Sequence, residues 1–166
     1  MGEVNIEGLK IESASERDAP LVLRFIKELA EYERLAERVT ADVETLREEL
    51  FGARPAAEVL IARREGEAVG FALFFHNFST FVGRRGLYLE DLYVRPEERG
   101  RGVGRALLSH VARVARERGC VRMEWAVLDW NEPAIGFYRR LGATPLDDWK
   151  IFRLAGDALE RLAGSS

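Results

Sequence analysis

Residues 87–108 read LYLEDLYVRPEERGRGVGRALL, a segment that joins an apolar strand pattern, a glycine-rich turn and the start of a helix. From Gly102 onward, apolar residues recur at helical spacing. Glycines between a strand and a helix let the backbone approach a ligand closely, and the helix N-terminus offers unpaired N–H groups and a positive dipole end. The segment therefore predicts a pyrophosphate-binding site, to which Arg95, Arg101 and Arg105 would add positive charge.

The glycine pattern differs from two other nucleotide-binding loops. A P-loop requires Gly-Lys-Ser/Thr, which this sequence lacks. The dinucleotide fingerprint Gly-x-Gly-x-x-Gly is also missing, because Arg105 and Ala106 follow Gly104. An ordinary glycine-rich turn beside solvated arginines is the alternative interpretation, and the other motifs of the chain argue against it.

The strand before the glycine loop changes phase in its middle. Leu87 and Leu89 alternate in one phase, the apolar residues after Asp91 alternate in the other, and Glu90 and Asp91 lie between them. Because side chains along a strand alternate between faces, a slip of one residue predicts a β-bulge. The alternative is that the two acids mark where the strand leaves the core. Two adjacent carboxylates in an apolar strand are costly without a use, which favours the bulge.

The rest of the chain alternates between strands and helices. Predicted strands cover about residues 5–13, 59–62, 69–78, 87–94, 121–128 and 150–154. Predicted helices cover about residues 15–32, 41–51, 102–118, 132–140 and 157–162. We find no linker or repeat, so the pattern predicts one α/β domain over residues 1–166, with a mixed sheet covered by helices.

Composition limits the possible functions. The chain has 166 residues, 47% of them hydrophobic and 32% charged, as in ordinary soluble proteins. No apolar run approaches the roughly 20 residues that span a bilayer, and the first residues lack a signal-peptide pattern. The net charge of -3 argues against general nucleic-acid binding. Cys120 is the only cysteine, which fits a reducing cytoplasm, and neither His76 nor His110 has metal-ligand spacing, so we expect no metal.

The first predicted helix carries acids of two kinds. Glu28 and Glu31 have Arg24 and Lys27 as helical neighbours, which predicts a solvated face with local ion pairs. Glu33 instead lies at the edge of the apolar stripe of the helix. Its carboxylate either reaches water or binds a cationic substrate.

Residues 130–143 read WNEPAIGFYRRLGA and predict a short helix. Asn131 suits the N-cap, and Pro133 is tolerated in the first turn. Tyr138 lies seven residues after Asn131, so the two side chains share a face of the helix. The alternative for Tyr138 is a core aromatic whose hydroxyl reaches solvent or a backbone carbonyl.

Taken together, four segments resemble the diamine (spermidine/spermine) and thialysine acetyltransferase branch of the GNAT family. These segments are residues 26–33, 88–94, 99–104 and 130–143. The resemblance implies the GNAT fold, a mixed and mostly antiparallel sheet flanked by helices, whose fourth strand bulges beside the pantetheine arm of acetyl-CoA. It also implies an enzyme that moves acetyl from acetyl-CoA to a primary amine of a small molecule by direct attack on the thioester.

The resemblance assigns roles to individual residues. Tyr138 would protonate the departing CoA thiolate, and Glu90 would accept the proton of the amine or only orient the amine. The expected acetyl-CoA contacts are Leu92, Tyr93, Val94, Arg99, Gly100, Arg101, Gly102, Val103, Gly104, Arg105, Asn131 and Tyr138. The expected contacts to the acceptor amine are Tyr32, Glu33, Phe81, Glu90 and Asp91.

The acceptor stays open at this point. Phe81 stands where the polyamine enzymes resemble one another in a tryptophan, and Arg84 and Arg85 near the expected acceptor mouth would repel a polycation. Residues 126–131 look more like the thialysine branch than the diamine one. An amino-acid-like acceptor is therefore expected at least as much as spermidine.

Two other functions compete with this one. A protein lysine or N-terminal acetyltransferase would change only the acceptor, and an acyl-CoA-sensing module would keep the glycine loop without chemistry. The presence of Tyr138, Glu90 and Asp91 favours catalysis over sensing. The resemblance further implies a homodimer, with the last predicted strand and Trp149 as candidates for its interface.

Overall fold

The computed structural model describes residues 6–164 of the chain, which divide into two compact units between Ala126 and Val127. The first unit contains β1 (Leu9–Ser13), α1 (Ala19–Tyr32), α2 (Val43–Phe51), β2 (Glu58–Arg64), β3 (Glu67–Ser79), β4 (Arg84–Val94), α3 (Val103–Glu117) and β5 (Met123–Trp125). The second unit contains α4 (Glu132–Arg140) and α5 (Gly156–Gly164). The single domain expected over residues 1–166 stays a prediction.

The sheet of the first unit has the strand order β1-β2-β3-β4-β5. All neighbouring strands are antiparallel except β4 and β5, which are parallel. Glu65 and Gly66 join β2 to β3 with φ angles of 50° and 85°, as a tight hairpin with two left-handed residues requires. The mixed, mostly antiparallel sheet that the sequence predicted is confirmed.

The predicted bulge in β4 is present. Leu73 of β3 lies opposite Asp91, whereas the next residue, Phe74, lies opposite Leu89, so Glu90 is the extra residue. A second irregularity between β2 and β3 was not predicted: Ala62 lies opposite Gly70 and Arg63 opposite Ala68. Each extra residue shifts the side chains that follow it to the other face of the sheet.

Helices cover both faces of the sheet. On one face, Phe25 of α1 stacks on Phe71 of β3, with ring centroids 5.5 Å apart, within a cluster that includes Leu73 and Tyr93. On the other face, α3 contacts β3 and β4, and its residues Val103, Leu107 and Val111 are buried. We refer below to the α1 face and the α3 face of the sheet.

The helix starts follow local hydrogen bonding. Ser15 and Asp18 form a capping box that opens a 3-10 turn (Glu16–Asp18), so α1 begins at Ala19 and not at the expected residue 15. Asp42 caps α2 by accepting a hydrogen bond of 2.8 Å from the Thr45 N–H. Between residues 6 and 164, no helix combines the length and the apolar character that crossing a bilayer requires.

Three predicted strands differ from the structure. Residues 150–154 form no strand, and the strand expected over residues 121–128 is limited to β5. Apolar residues in a segment do not by themselves supply a neighbouring strand to pair with, and Ile151 and Phe152 are exposed in the structure. The first strand was expected from Asn5, which lies outside the described residues, and begins at Leu9 in the structure.

Replacement of the core ring of α1 tests this packing. Phe25→Ala removes a fully buried aromatic side chain, so we expect the free energy of unfolding to fall by about 3–5 kcal/mol. Phe81→Ala removes a ring that is 97% exposed and should change stability by less than about 0.5 kcal/mol. Urea denaturation of both variants measures the difference, and equal losses would contradict the assigned core.

Candidate active site

The glycine loop lies between β4 and α3, as the sequence predicted. Gly100 and Gly102 have φ angles of 76° and 85°, a left-handed conformation that is disfavoured for residues with a Cβ atom. Gly102 is the N-cap of α3, so the N–H groups of the first helical turn point out of the helix end. The exposed side chains of Arg101 and Arg105 flank this end. The arrangement suits an anionic group such as a pyrophosphate.

The ladder between β4 and β5 ends where the bulge begins. Leu87, Tyr88 and Leu89 pair with Met123–Trp125, and β4 from Glu90 onward lies outside this ladder. The backbone N–H and C=O groups on that edge of β4 therefore have no β5 partner. Such an edge can hydrogen-bond an extended ligand that carries amides.

The bulge sends the side chains after it to defined faces. Asp91 and Tyr93 lie opposite Leu73 and Phe71, so they share the α1 face. The predicted cofactor contacts Leu92 and Val94 lie opposite Ala72 and Gly70, on the α3 face, while Glu90 is exposed at the bulge itself. The strand thus directs acids and apolar residues to opposite sides.

The charges of two neighbouring carboxyl groups act on Asp91 at the bulge. Burial, followed by the charges of Glu90 and Glu33, raises the pKa of Asp91 to about 7. Burial also raises the pKa of Glu33, the C-cap residue of α1. The structure therefore brings together Glu33, Glu90 and Asp91, which the sequence predicted as acceptor contacts. A carboxyl group with a pKa near neutrality can take up and release a proton at physiological pH.

A cavity of about 640 Å³ lies along the end of α1. We call it the α1 groove, and its lining residues are Glu28, Glu31, Tyr32, Tyr93, Arg95, Pro96, Glu97 and Arg99. The groove combines three acids with two arginines and two tyrosines. It is open to charged polar ligands and contains the predicted acceptor contact Tyr32.

Glu28 was predicted as part of a solvated face, but the structure gives it a second contact. Its carboxylate accepts a hydrogen bond of 2.9 Å from the Tyr93 hydroxyl, in addition to its ion pair with Arg24 at 3.9 Å. Burial and this hydrogen bond raise the pKa of Tyr93 to about 12. A polar residue on a strand of otherwise apolar neighbours, such as Tyr93, was the signal that could have indicated the contact.

Two arginines predicted beside the pyrophosphate lie against aromatic rings. The Cζ atom of Arg99 is 4.7 Å from the ring centroid of Tyr32 and 5.7 Å from that of Tyr93, and its Nε donates to the Val94 carbonyl. The Cζ atom of Arg95 lies 5.6 Å from the ring centroid of Phe25. Both guanidinium groups therefore belong to the α1 groove.

Phe81 lies far from the acids along the sheet. It forms the tip of the β3–β4 hairpin, and its side chain is 97% exposed. Glu90 is six residues beyond Arg84, the first residue of β4, a distance of roughly 20 Å along a strand. Arg84 and Arg85 share the hairpin end, so within this chain they do not line the acids. Arg84 and Arg85 are therefore not expected to repel a polycation that is bound at these acids.

Asn131 and Tyr138 belong to the second unit. The Asn131 side chain is buried and caps α4 by accepting a hydrogen bond of 3.4 Å from the Ala134 N–H. The Tyr138 ring lies 5.4 Å from that of Phe137. Asn131 precedes the predicted helix and Tyr138 lies on it, and the structure confirms this helix as Glu132–Arg140.

The ring nitrogens of His76 and His110 lie close to other protein groups. The His76 Nδ1 lies 3.1 Å from the Gly86 carbonyl, and its Nε2 lies 3.0 Å from Arg118. Burial lowers the pKa of His110. Over residues 6–164, no group of three His, Cys, Asp or Glu side chains is arranged to hold a metal ion.

Comparison with known proteins adds independent information. Residues 23–143 match the sequence model of the acetyltransferase (GNAT) family. The chain is 43% identical to thialysine N-epsilon-acetyltransferase from Bos taurus, over 93% of this chain and 96% of that protein. It is 30% identical to spermidine/spermine N(1)-acetyltransferase-like protein 1 from Homo sapiens, over 98% of this chain and 25% of that protein. A solved integron cassette protein from V. cholerae has the same fold, with a TM-score of 0.81 and 24% identity, covering 96% of this chain and 100% of that one.

The raised pKa of Asp91 predicts that the stability of the fold depends on pH. The folded protein keeps the proton of Asp91 up to about pH 7, whereas the unfolded chain releases it near pH 4, so folding stability falls as the pH rises between these values. Asp91→Asn removes this penalty, and its free energy of unfolding should exceed that of the wild type at pH 8 by up to a few kcal/mol. The gain should shrink towards pH 4.

Urea denaturation across this pH range measures the gain. Asp42→Asn is the matched control, because the Thr45 N–H lowers the pKa of Asp42 and its charge stabilises the folded state at high pH. Compared with the wild type, this variant should lose more stability at pH 8 than at pH 3. A gain in Asp91→Asn that does not vary with pH would contradict the buried acid.

Proposed function

Because the chain belongs to the acetyltransferase (GNAT) family, we propose that it transfers the acetyl group of acetyl-CoA to a primary amine of a small, amino-acid-like molecule. The observation that carries the proposal is the group of Glu33, Glu90 and Asp91 at the bulge of β4. These acids attract an ammonium group, and one of them has a pKa suited to removing its proton.

GNAT acetyltransferases use acetyl-CoA as cosubstrate, and the residues of the glycine loop fit it. The N–H groups from Gly102 to Arg105 and the side chain of Arg101 would hold the pyrophosphate. The edge of β4 from Glu90 onward would hold the pantetheine amides, since the β5 ladder ends at Leu89. We assign Asn131 and Tyr138 to the same cosubstrate, as the sequence predicts.

The proposed reaction is one direct displacement. The neutral amine nitrogen attacks the thioester carbonyl carbon, a C–N bond forms, and the C–S bond breaks. The amine proton passes to the coupled acids Glu90 and Asp91, and the Tyr138 hydroxyl donates its proton to the departing thiolate. A phenol with a pKa of about 10 can protonate a thiolate and recover its proton from solvent.

The pKa near 7 suits Asp91 to accept the amine proton, and Glu90 would orient the ammonium. The charge of the adjacent Glu90 also raises the pKa of Asp91. From the sequence, Glu90 is either the base or a group that only orients the amine, and we propose that it orients the ammonium and shares the proton with Asp91.

The α1 groove supports an amino-acid-like acceptor. Glu28, Glu31 and Glu97 suit ammonium groups, and Arg95 and Arg99 suit a carboxylate. Thialysine, which the name of the bovine relative specifies, combines two ammonium groups with one carboxylate. A polyamine is the second candidate, because the groove offers two acids on α1 and a third, Glu97, on the 3-10 turn after β4. Phe81 stays a prediction as an acceptor contact.

We also propose a cytoplasmic homodimer. The single cysteine fits a reducing compartment. Large apolar side chains are exposed in the second unit, at Trp149, Ile151 and Phe152, and such surfaces often mark protein interfaces. Light scattering on the purified chain would test the dimer.

An assay of CoA release tests the function. With acetyl-CoA, we expect turnover of thialysine or lysine above that of spermidine, putrescine and a lysine-containing peptide. Tyr138→Phe should lower kcat by about 10²–10⁴, the range typical of a lost general acid. Tyr88→Phe, which removes the hydroxyl of a ring that packs on Phe75, is the comparison variant and should lower kcat far less than Tyr138→Phe.

Turnover of the peptide alone would favour a protein acetyltransferase. Binding of acetyl-CoA without CoA release from any amine would favour an acyl-CoA-sensing module. Either result would contradict the proposed small-molecule acceptor.

A further inference from the structure

A largely buried ion pair lies directly before the glycine loop. Glu98 ends the 3-10 turn Pro96–Glu98, and its Oε2 accepts a hydrogen bond of 2.7 Å from the Nη1 of Arg64 at the end of β2. The two side chains are only 15% and 19% exposed. The pair therefore connects the β2–β3 hairpin to the loop that would receive the cosubstrate.

The second oxygen of Glu98 faces the glycine loop. Its Oε1 lies 3.6 Å from the Nη1 of Arg101, which exceeds a hydrogen-bond distance and leaves the Arg101 side chain 59% exposed. Glu98 thus stands between two arginines, close to the buried one and distant from the exposed one. A carboxylate three residues from Arg101 is a direct competitor of a bound phosphate for that guanidinium.

The pair has little value as a source of stability. The Nε of Arg64 is buried without a hydrogen-bond partner within the described residues, which costs free energy. Desolvation of both charges offsets much of their attraction, and such pairs are often replaceable by apolar residues. The main effect of the pair is therefore to neutralise charge beside the glycine loop.

We propose that Arg64 is a positioning residue for the phosphates of acetyl-CoA: it holds and neutralises Glu98, which keeps Arg101 available to the ligand. The proposal rests on the proposed function, because it requires acetyl-CoA at the glycine loop. Without Arg64, the carboxylate of Glu98 would draw in the Arg101 guanidinium and repel the phosphates. Arg64 itself does not touch the ligand in this account.

Binding of CoA, measured by calorimetry, tests the proposal without turnover. Arg64→Met should weaken CoA binding by roughly tenfold, because it leaves Glu98 uncompensated at the phosphate site. Pantetheine lacks the pyrophosphate, so its binding should not change. The double variant Arg64→Met/Glu98→Gln should recover CoA affinity to within about threefold of the wild type, because the competing charge is gone.

Recovery in the double variant separates a charge effect from a structural one. If Arg64 only fastened the loop to β2, the double variant would lack the same tie and bind CoA as weakly as Arg64→Met. That result would overturn the proposal. Glu98→Gln alone should bind CoA at least as tightly as the wild type, and a loss of affinity there would also overturn it.

Two further variants serve as controls. Arg63→Met removes the neighbouring arginine, which pairs with Glu12 and Asp18, and should leave CoA binding unchanged. Arg64→Lys keeps the charge and should bind CoA to within about threefold of the wild type, even if Arg64→Met fails to fold. Wild-type protein that binds CoA no better than pantetheine would instead refute the phosphate site of the proposed function, and the inference with it.

Discussion

One extra residue in β4 organises the site. Before Glu90, β4 is hydrogen-bonded to strands on both sides; after it, the ladder with β5 has ended. The same insertion turns Asp91 towards the α1 face, where burial and neighbouring acids hold its pKa near 7. A β-bulge bends its strand and locally disrupts pairing, which favours a free edge for an amide-containing ligand. The acid cluster and the open edge therefore meet at a single change of register.

The charges around β4 are separated along the chain. Acids gather at the bulge, the α1 groove combines acids with Arg95 and Arg99, and the glycine loop offers exposed arginines and helical N–H groups. An ammonium and a pyrophosphate can therefore be bound at opposite ends of the same short segment without competing for the same residues. Within this segment, Glu98 is the acid nearest the loop, and the structure pairs it with Arg64. The distribution of charge matches the two substrates of the proposed reaction.

Local sequence patterns predicted the features that local geometry controls. The bulge at Glu90 was visible as a change of alternation, and the glycine loop and α4 were visible from their spacing and caps. The irregularity between β2 and β3 was not visible, because residues 68–75 are almost all apolar and show no alternation to interrupt. The Tyr93–Glu28 hydrogen bond joins residues 65 apart, and the Arg64–Glu98 pair joins residues 34 apart. Contacts of this kind depend on the fold, so the α1 groove could not be read from the sequence.

Deletion of Glu90 tests the central role of the bulge most directly. Removing this residue leaves Leu89 opposite Phe74 and Asp91 opposite Leu73, so every other cross-strand partner keeps its face. The rate of acetyl transfer to the best amine would be compared with that of Glu90→Ala, which removes the carboxylate and keeps the bulge. The account predicts a deletion variant that unfolds cooperatively but is at least about tenfold less active than Glu90→Ala. Equal activity of the two variants would show that the carboxylate alone matters and would contradict the account.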